Sequence, residues 1–342
     1  MLSLLALLHA GPAGRHAGRH AGSAAVRSVG VVGGPAARRC ALSASAREGS
    51  LAAADAAPWS VVFEAQLAEG HCVGVRLPPT HDASVAQLEA HAALRQLHPD
   101  ERAAPGLADM TPLNAAEYWG GRLALRSALS SCREQLVADG ARDDAALGHA
   151  PITKQASGAP SVPAWACGSI SHKRNLAVAL ARPQPWPFPG ADEGAGAGVA
   201  AAPRLTVGLD TELAGAAGRR KDLHRKVLTD AEVADLGRLG PAGYSAADEC
   251  LLRFSLKEAV YKALSPPGGK RRNIGFKKVE ATPFADGTAH VVILPGALGP
   301  DELTPVIASA HWARHGNVLL TTVLAEGVGH RRRPGPASGV TP

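Results

Sequence analysis

Residues 205–213, "LTVGLDTEL", alternate apolar and polar positions: Leu205, Val207, Leu209 and Leu213 against Thr206, Gly208, Asp210 and Glu212. A period of two marks a strand with distinct faces. Other β-rich runs are "WSVVFEAQLA" and "HCVGVRL" early in the chain, and "NIGFKKVEATP", "TAHVVILP" and "NVLLTTVLA" late in it. "CGSISHKRNLAVAL" reads as strand, turn, strand. Helical composition marks "HDASVAQLEAHAALRQLHPDERAAPG", which Pro99 interrupts, "LNAAEYWGGRLALRSALSSCREQLVADG", closed by Gly140, and "DAEVADLGRL". Gly120 and Gly121 inside the second of these point to close packing or a bend. A further helix, "SAADECLLRFSLKEAVYKAL", precedes the last strands. Each half mixes β-runs with a long helix, an α+β pattern rather than strict β-α-β alternation.

That last helix is apolar on two faces. At 100° per residue Leu251, Phe254, Glu258, Tyr261, Lys262 and Ser265 share one side, and Leu252, Leu256, Ala259, Val260 and Ala263 another. Such a helix is sandwiched, so Glu258 and Lys262 are held from water and need compensation. They are four apart and can pair with each other. Asp210 and Glu212, two apart on a strand, point the same way about 6 to 7 Å from each other. Paired carboxylates suit a hard cation such as Mg²⁺, which takes oxygen ligands and completes its shell with phosphate and water. "GSISHK" places hydroxyls, strand-end N–H groups and His172 where phosphate oxygens could be bound.

Charge narrows the function classes. The net charge of +6 has a location: residues 1–47 hold Arg15, Arg19, Arg27, Arg38, Arg39 and Arg47, with no lysine and no acid. Without them basic and acidic residues balance, so the body lacks the basic footprint of a nucleic-acid-binding protein. The Arg-, Ala- and Ser-rich, acid-free opening is expected to be an organellar transit peptide, plastid ahead of mitochondrion. No run reaches the ~18 to 20 apolar residues of a membrane span. Cys40, Cys72, Cys132, Cys167 and Cys250 form no metal-ligand spacing and are expected to be reduced, structural thiols. His311 and His315 in "HWARH" lack the glutamate of a zinc-protease helix and are expected at a turn into a strand. There is no G-x-x-x-x-G-K-[ST] loop, and the "GAGAG" of the Pro/Gly/Ala-rich stretch 181–204 lacks dinucleotide-binding spacing. This stretch is expected to link two halves, 58–202 and 203–325, with a disordered tail over 326–342.

Three motifs in order carry a resemblance: "GSISH" (Gly168 to His172), "VGLDTE" (Val207 to Glu212) and "FSLKEAVYKAL" (Phe254 to Leu264). Upstream, "LHPDERA", "AEYWGGRLALRSAL" and the "PI" of "PITKQASGAP" extend it. Together they resemble the 4′-phosphopantetheinyl transferases, in particular the pseudodimeric class of the bacterial enterobactin-synthesis type. Lys173 after His172, Thr211 between the two acids and the long insertion after Ala181 depart from the usual pattern.

The resemblance implies two similar α+β halves with the active site at their interface, within a monomer. It implies transfer of the phosphopantetheine arm of coenzyme A to a serine of an acyl or peptidyl carrier protein. Asp210, Glu212 and Glu258 would hold Mg²⁺, and Lys262 would meet the departing phosphate. Arg122, Ser171, His172, Lys257 and Lys154 would hold the phosphates of coenzyme A, and Glu258 or a water it orients would be the general base. The runs "GRRKDLHRK" and "GGKRRNIGFKK" would steer an acidic carrier. Two other readings remain at this point: a Mg²⁺-dependent hydrolase of the pyrophosphate of coenzyme A or a nucleotide, and a non-catalytic coenzyme A-binding module.

Overall fold

The alternating run 205–213 forms a strand that is buried along its whole length, because both of its faces are covered. The computed structural model describes residues 57–138, 150–185, 204–215, 222–265, 274–298 and 305–327. Outside them lie the 1–47 segment, most of the 181–204 insertion and the chain beyond 327. In order come β1 (Val61–Leu67), β2 (Gly70–Arg76), α1 (Val85–Glu89), α2 (Pro99–Arg102), α3 (Pro112–Ala138), β3 (Ala166–Lys173) and β4 (Leu176–Pro183). The second half follows with β5 (Leu205–Leu213), α4 (Leu223–Val227), α5 (Asp230–Ala234), α6 (Ala246–Leu264), β6 (Val279–Pro283), β7 (Ala289–Ile293), β8 (Val306–His315) and β9 (Val318–Glu326).

The fold is α+β. β1-β2-β4-β3 form one sheet, β5-β9-β8 a second, and β6-β7 a hairpin; all the ladders are antiparallel. Alternation along the strands sorts the side chains into layers. Val73, Val75, Ala177 and Ala179 pack with Trp119, Leu123 and Ala124 of α3. Their neighbours Cys72, Val178 and Leu180 pack instead with Leu205, Val207, Leu209, Leu320 and Leu324 of the second sheet. Leu319, Val323 and Ala325 turn the other way, onto α6. The order is helix, sheet, sheet, helix, and the sheet–sheet core joins the halves. Each fully buried Leu or Val there contributes about 1.5–3 kcal/mol.

The glycines of α3 explain themselves. A Cβ on Gly120 would lie 2.1 Å from Leu77 and one on Gly121 2.7 Å from Ile170, so the pair lets the helix sit close on the first sheet. The helix runs on through both without a break. The region 81–106 is less regular than its composition suggests: two short helices flank a single tight turn at 92–96. Pro99 begins α2 instead of interrupting a longer helix, at the first position where its missing N–H costs nothing. The segment expected as a turn at His311 lies inside β8, a ten-residue strand. Ala181–Pro183, expected in the linker, complete β4. Cys72, Cys132, Cys167 and Cys250 are free and buried. Burial pushes the Cys132 thiol up to about 11. Among the described residues no helix is long and apolar enough to cross a membrane.

Glu69, at the β1–β2 turn, latches the halves together. Fully buried, it accepts bonds from Ser309 Oγ (2.6 Å), His311 Nδ1 (2.5 Å) and Thr322 Oγ1 (2.9 Å) of the second sheet. Burial pushes its carboxyl up, but His311, Ser309 and Thr322 outweigh this and hold it below its ordinary 4.5. The bond to Glu69 raises His311 above its ordinary 6.5. The carboxylate's contribution is lost as pH falls through its lowered pKa. The imidazolium's is complete below 6.5 and lost as pH rises through its raised one. The stability gap between wild type and His311→Ala should therefore narrow from about pH 5.5 to about pH 8.5. Urea midpoints at the two values measure it, and a constant gap would show that the imidazolium is not involved.

Candidate active site

β3 and β5 are the facing edge strands of the two sheets. An edge exposes N–H groups that need partners. Here serine hydroxyls replace a backbone ladder: Ser169 Oγ accepts from the Leu209 N–H (3.1 Å) and Ser171 Oγ from the Thr211 N–H (3.2 Å). The "SIS" spacing thus sets two hydroxyls on the seam. Ser171 Oγ also donates to Asp210 Oδ1 (3.0 Å) and accepts from Thr211 Oγ1 (3.2 Å). The side chain read as a phosphate ligand is 5% exposed and ties the first half to the first acid of the second.

Asp210 gathers three side chains from two other elements. Besides Ser171, Ser255 Oγ of α6 donates to its Oδ2 (2.9 Å) and Lys262 Nζ to its Oδ1 (3.0 Å). Lys262 Nζ also reaches the Leu209 carbonyl (2.8 Å), and Ser255 shares a bond with Thr321 of β9 (3.0 Å). α6 comes this near because Gly208 has no side chain: a Cβ there would stand 1.8 Å from the Ala259 carbonyl oxygen. Glu258, half-buried, lies between Ser255 and Lys262 on the helix surface, three residues after one and four before the other. Lys262 thus pairs with Asp210 across the helix–strand contact. Glu212 Oε2 lies 2.7 Å from Lys173 Nζ, close enough for an ion pair.

The other candidates are dispersed. His172 points away from the seam, as alternation with Ser171 and Lys173 requires, and its Nδ1 pairs with Glu117 of α3 (3.1 Å). Arg122 is 6% exposed and lies over the Tyr118 ring. Its Nε donates to the Ile152 carbonyl and its Nη1 to the Tyr118 carbonyl (both 3.0 Å). Burial lowers its pKa. Glu101 takes the Ile152 N–H, so "PI" is held at both backbone groups. Lys154 is exposed, in an isolated bridge to Pro160.

Lys257 is a correction. It is 2% exposed, and its ammonium bonds Glu232 Oε2 (2.6 Å), the Val227 carbonyl (2.8 Å) and the Phe276 carbonyl (3.1 Å). The helix turns it about 100° from Glu258, into the body of the second half. The sequence marks Lys173 only as a departure from the usual pattern and gives no role to Ser255, Glu117 or Thr321. Two signals could have found the first two: Lys173 alternates with Ser171, and Ser255 is seven residues before Lys262 on one helix face.

The oxygen donors of Asp210 and Glu212 fit a hard cation that completes its shell with phosphate and water. The three acids expected around it do not form a ready cage: among the described residues no three His, Cys, Asp or Glu side chains are grouped to hold a metal ion. Lysines occupy the space instead, one on each strand acid.

Comparison with known proteins accords with the order of these motifs. The model of the 4′-phosphopantetheinyl transferase superfamily matches residues 206–314, and that of the 4′-phosphopantetheinyl transferase N-terminal domain matches residues 100–182. The chain belongs to the 4′-phosphopantetheinyl transferase superfamily. The first match contains α6 and all of β5 except Leu205, with Asp210, Glu212, Glu258 and Lys262; the second contains Arg122, Ser171, His172 and Lys173. No curated protein matches the chain. Among solved structures, the ACPS–CoA complex of Chronobacterium ammoniagenes is 18% identical, with a TM-score of 0.29 over 37% of this chain and 98% of that one. The holo-ACP-synthase of Plasmodium yoelii is 15% identical, with a TM-score of 0.25 over 36% of this chain and 94% of that one.

Proposed function

We propose that the protein transfers the 4′-phosphopantetheine arm of coenzyme A to a serine of an apo acyl or peptidyl carrier protein, and releases adenosine 3′,5′-bisphosphate. The observation that carries this reading is the meeting of Ser171, Asp210 and Lys262, from three separate motifs and both halves, at one seam. In the transfer the carrier serine Oγ bonds to the phosphorus next to the pantetheine arm. The bridging bond to the adenylate-side phosphate breaks, and the serine proton passes to Glu258 or to a water it orients. Asp210 and Glu212, with Glu258 from α6, would hold a Mg²⁺, which supplies charge neutralisation for the pyrophosphate. Lys262 moves from Asp210 to the departing phosphate, whose growing charge it stabilises. His172, 44% exposed at the end of β3, offers a donor to the phosphates of coenzyme A. Within the superfamily we place the protein in the pseudodimeric, enterobactin-synthesis type, acting as a monomer, and we read residues 1–47 as an organellar address, plastid ahead of mitochondrion.

Intact-mass measurement of an apo carrier incubated with the protein, coenzyme A and Mg²⁺ tests this reading. The carrier should gain one phosphopantetheine arm, and Glu258→Ala should slow the gain at least about 100-fold. Cleavage of coenzyme A with no change in the carrier would overturn the transferase reading in favour of a hydrolase.

Carrier docking has its own test. Arg219, Arg220 and Lys221 lie outside the described residues, but Arg225 and Lys226 of α4 and Lys277 and Lys278 are exposed. Lys257 binds a carbonyl at the end of α4 and another at Phe276, so one buried ammonium holds the two basic segments together. Charge reversal at Arg225 and Lys278 should raise KM for the carrier about tenfold and leave KM for coenzyme A unchanged. Carrier kinetics that stay the same over a range of salt would show that this surface does not steer the partner.

A further inference from the structure

Lys173 reaches a carboxylate that cannot be left alone. Glu212 is 3% exposed at its side chain and Lys173 15%, with 2.7 Å between Oε2 and Nζ. A charge so far from water needs a counter-charge. The other lysine at the seam, Lys262, is on Asp210. The D-x-E pair is therefore balanced by two lysines, one from each half. Lys173 is also placed by the fold: it follows Ser169 and Ser171 at every second position of β3, and these three meet Leu209, Asp210, Thr211 and Glu212 across the seam.

We propose that Lys173 is a built-in competitor for divalent cations: it holds Glu212 in the cation-free protein, and a cation is bound at Asp210 and Glu212 only as Lys173 gives up that carboxylate. The inference rests on the transferase reading in taking these carboxylates as the cation's ligands. Its basis is a conflict over one charge. A divalent cation placed on two carboxylates that two ammonium groups already neutralise leaves the seam with an excess of positive charge. Polyanionic phosphate removes that excess, and a released Lys173 can move to a phosphate oxygen. Cation binding to the protein alone is therefore weak, and becomes tight only together with a pyrophosphate-bearing substrate.

Calorimetric titration of the full chain with Mn²⁺ and Mg²⁺, without coenzyme A, separates the outcomes. Lys173→Met removes the charge at similar length and should bind cation on the order of tenfold more tightly than wild type, a usual size for coupling between neighbouring ligands. Lys173→Arg keeps the charge and should remain weak. Thermal melting gives a second reading. In EDTA Lys173→Met should melt below wild type, because Glu212 has lost its counter-charge, and added cation should raise its Tm by more than it raises the wild type's. A variant unfolded in EDTA and refolded by Mg²⁺ would support the proposal equally, with Lys173→Gln as the milder replacement. Equal affinities in wild type and Lys173→Met, or equal Tm shifts, would overturn the proposal. So would the absence of cation binding in both, whereas the transferase reading stands or falls separately on the carrier mass.

Discussion

Gly208→Ala should destabilise the protein by about 3 kcal/mol or more, at the upper end of what an inserted methyl costs in a packed core. The added Cβ would stand 1.8 Å from the Ala259 carbonyl oxygen, 2.7 Å from its carbon and 2.8 Å from the Ala263 nitrogen. All three are backbone atoms, so no rotamer change relieves the clash and α6 as a whole must move away from β5. That shift would carry Ser255 and Lys262 off Asp210, because both reach it from the same helix. Stability and the candidate site should therefore fail together. Gly240→Ala is the control: its Cβ meets nothing within 4 Å, and the change should stay within about 0.5 kcal/mol. Thermal or urea unfolding of the two variants measures the difference, and a Gly208→Ala protein as stable as wild type would show that α6 can settle farther from the sheet.

Gly208 also shows where the sequence was legible. Its alternation with Asp210 and Glu212 set all three on one face of a strand, and that face lies under α6. The two apolar sides of α6 announced a sandwiched helix, and it lies between the second sheet and the β6–β7 hairpin with its neighbours. Period and spacing report such features directly. What they do not report is which groups meet across distant segments. Lys173 looked like a departure from a pattern, and only the edge-to-edge approach of β3 and β5 gives it Glu212. Glu69 carries no local signal, since its partners are some 240 to 253 residues away along the chain. β8 is hidden because "VIASAHWARH" mixes small, polar and apolar residues with too weak an alternation to stand out. The region 81–106 misled in the opposite sense: its helical composition is real, but Pro99 and the capping residues Ser84 and His98 cut it into short pieces.

Lys257 is the instance in which resemblance and helical geometry disagreed, and it yields a sharp test. The resemblance set its ammonium on a phosphate; the helix set it about 100° from Glu258. In the structure its three donors are matched by Glu232 and two backbone carbonyls, which leaves none for a substrate. Burial pulls the ammonium below its ordinary pKa while Glu232 pulls it back. Lys257→Met should then cost about 3–5 kcal/mol, because Glu232, 3% exposed, would keep its charge in the interior without a counter-ion. Glu232 also accepts the Thr229 and Ala281 N–H groups (2.9 and 2.8 Å), so it cannot turn out to solvent without abandoning both. Lys257→Met with Glu232→Gln should recover part of the loss, as neighbours in one network do. Coenzyme A affinity separates the two roles. A structural lysine leaves the Kd of the folded variant within about twofold of wild type, whereas a lost phosphate contact would weaken it by at least tenfold, a charged hydrogen bond being worth about 1.5–3 kcal/mol. Full stability combined with weak binding would return Lys257 to the substrate site, and would mean that its cage opens when coenzyme A arrives.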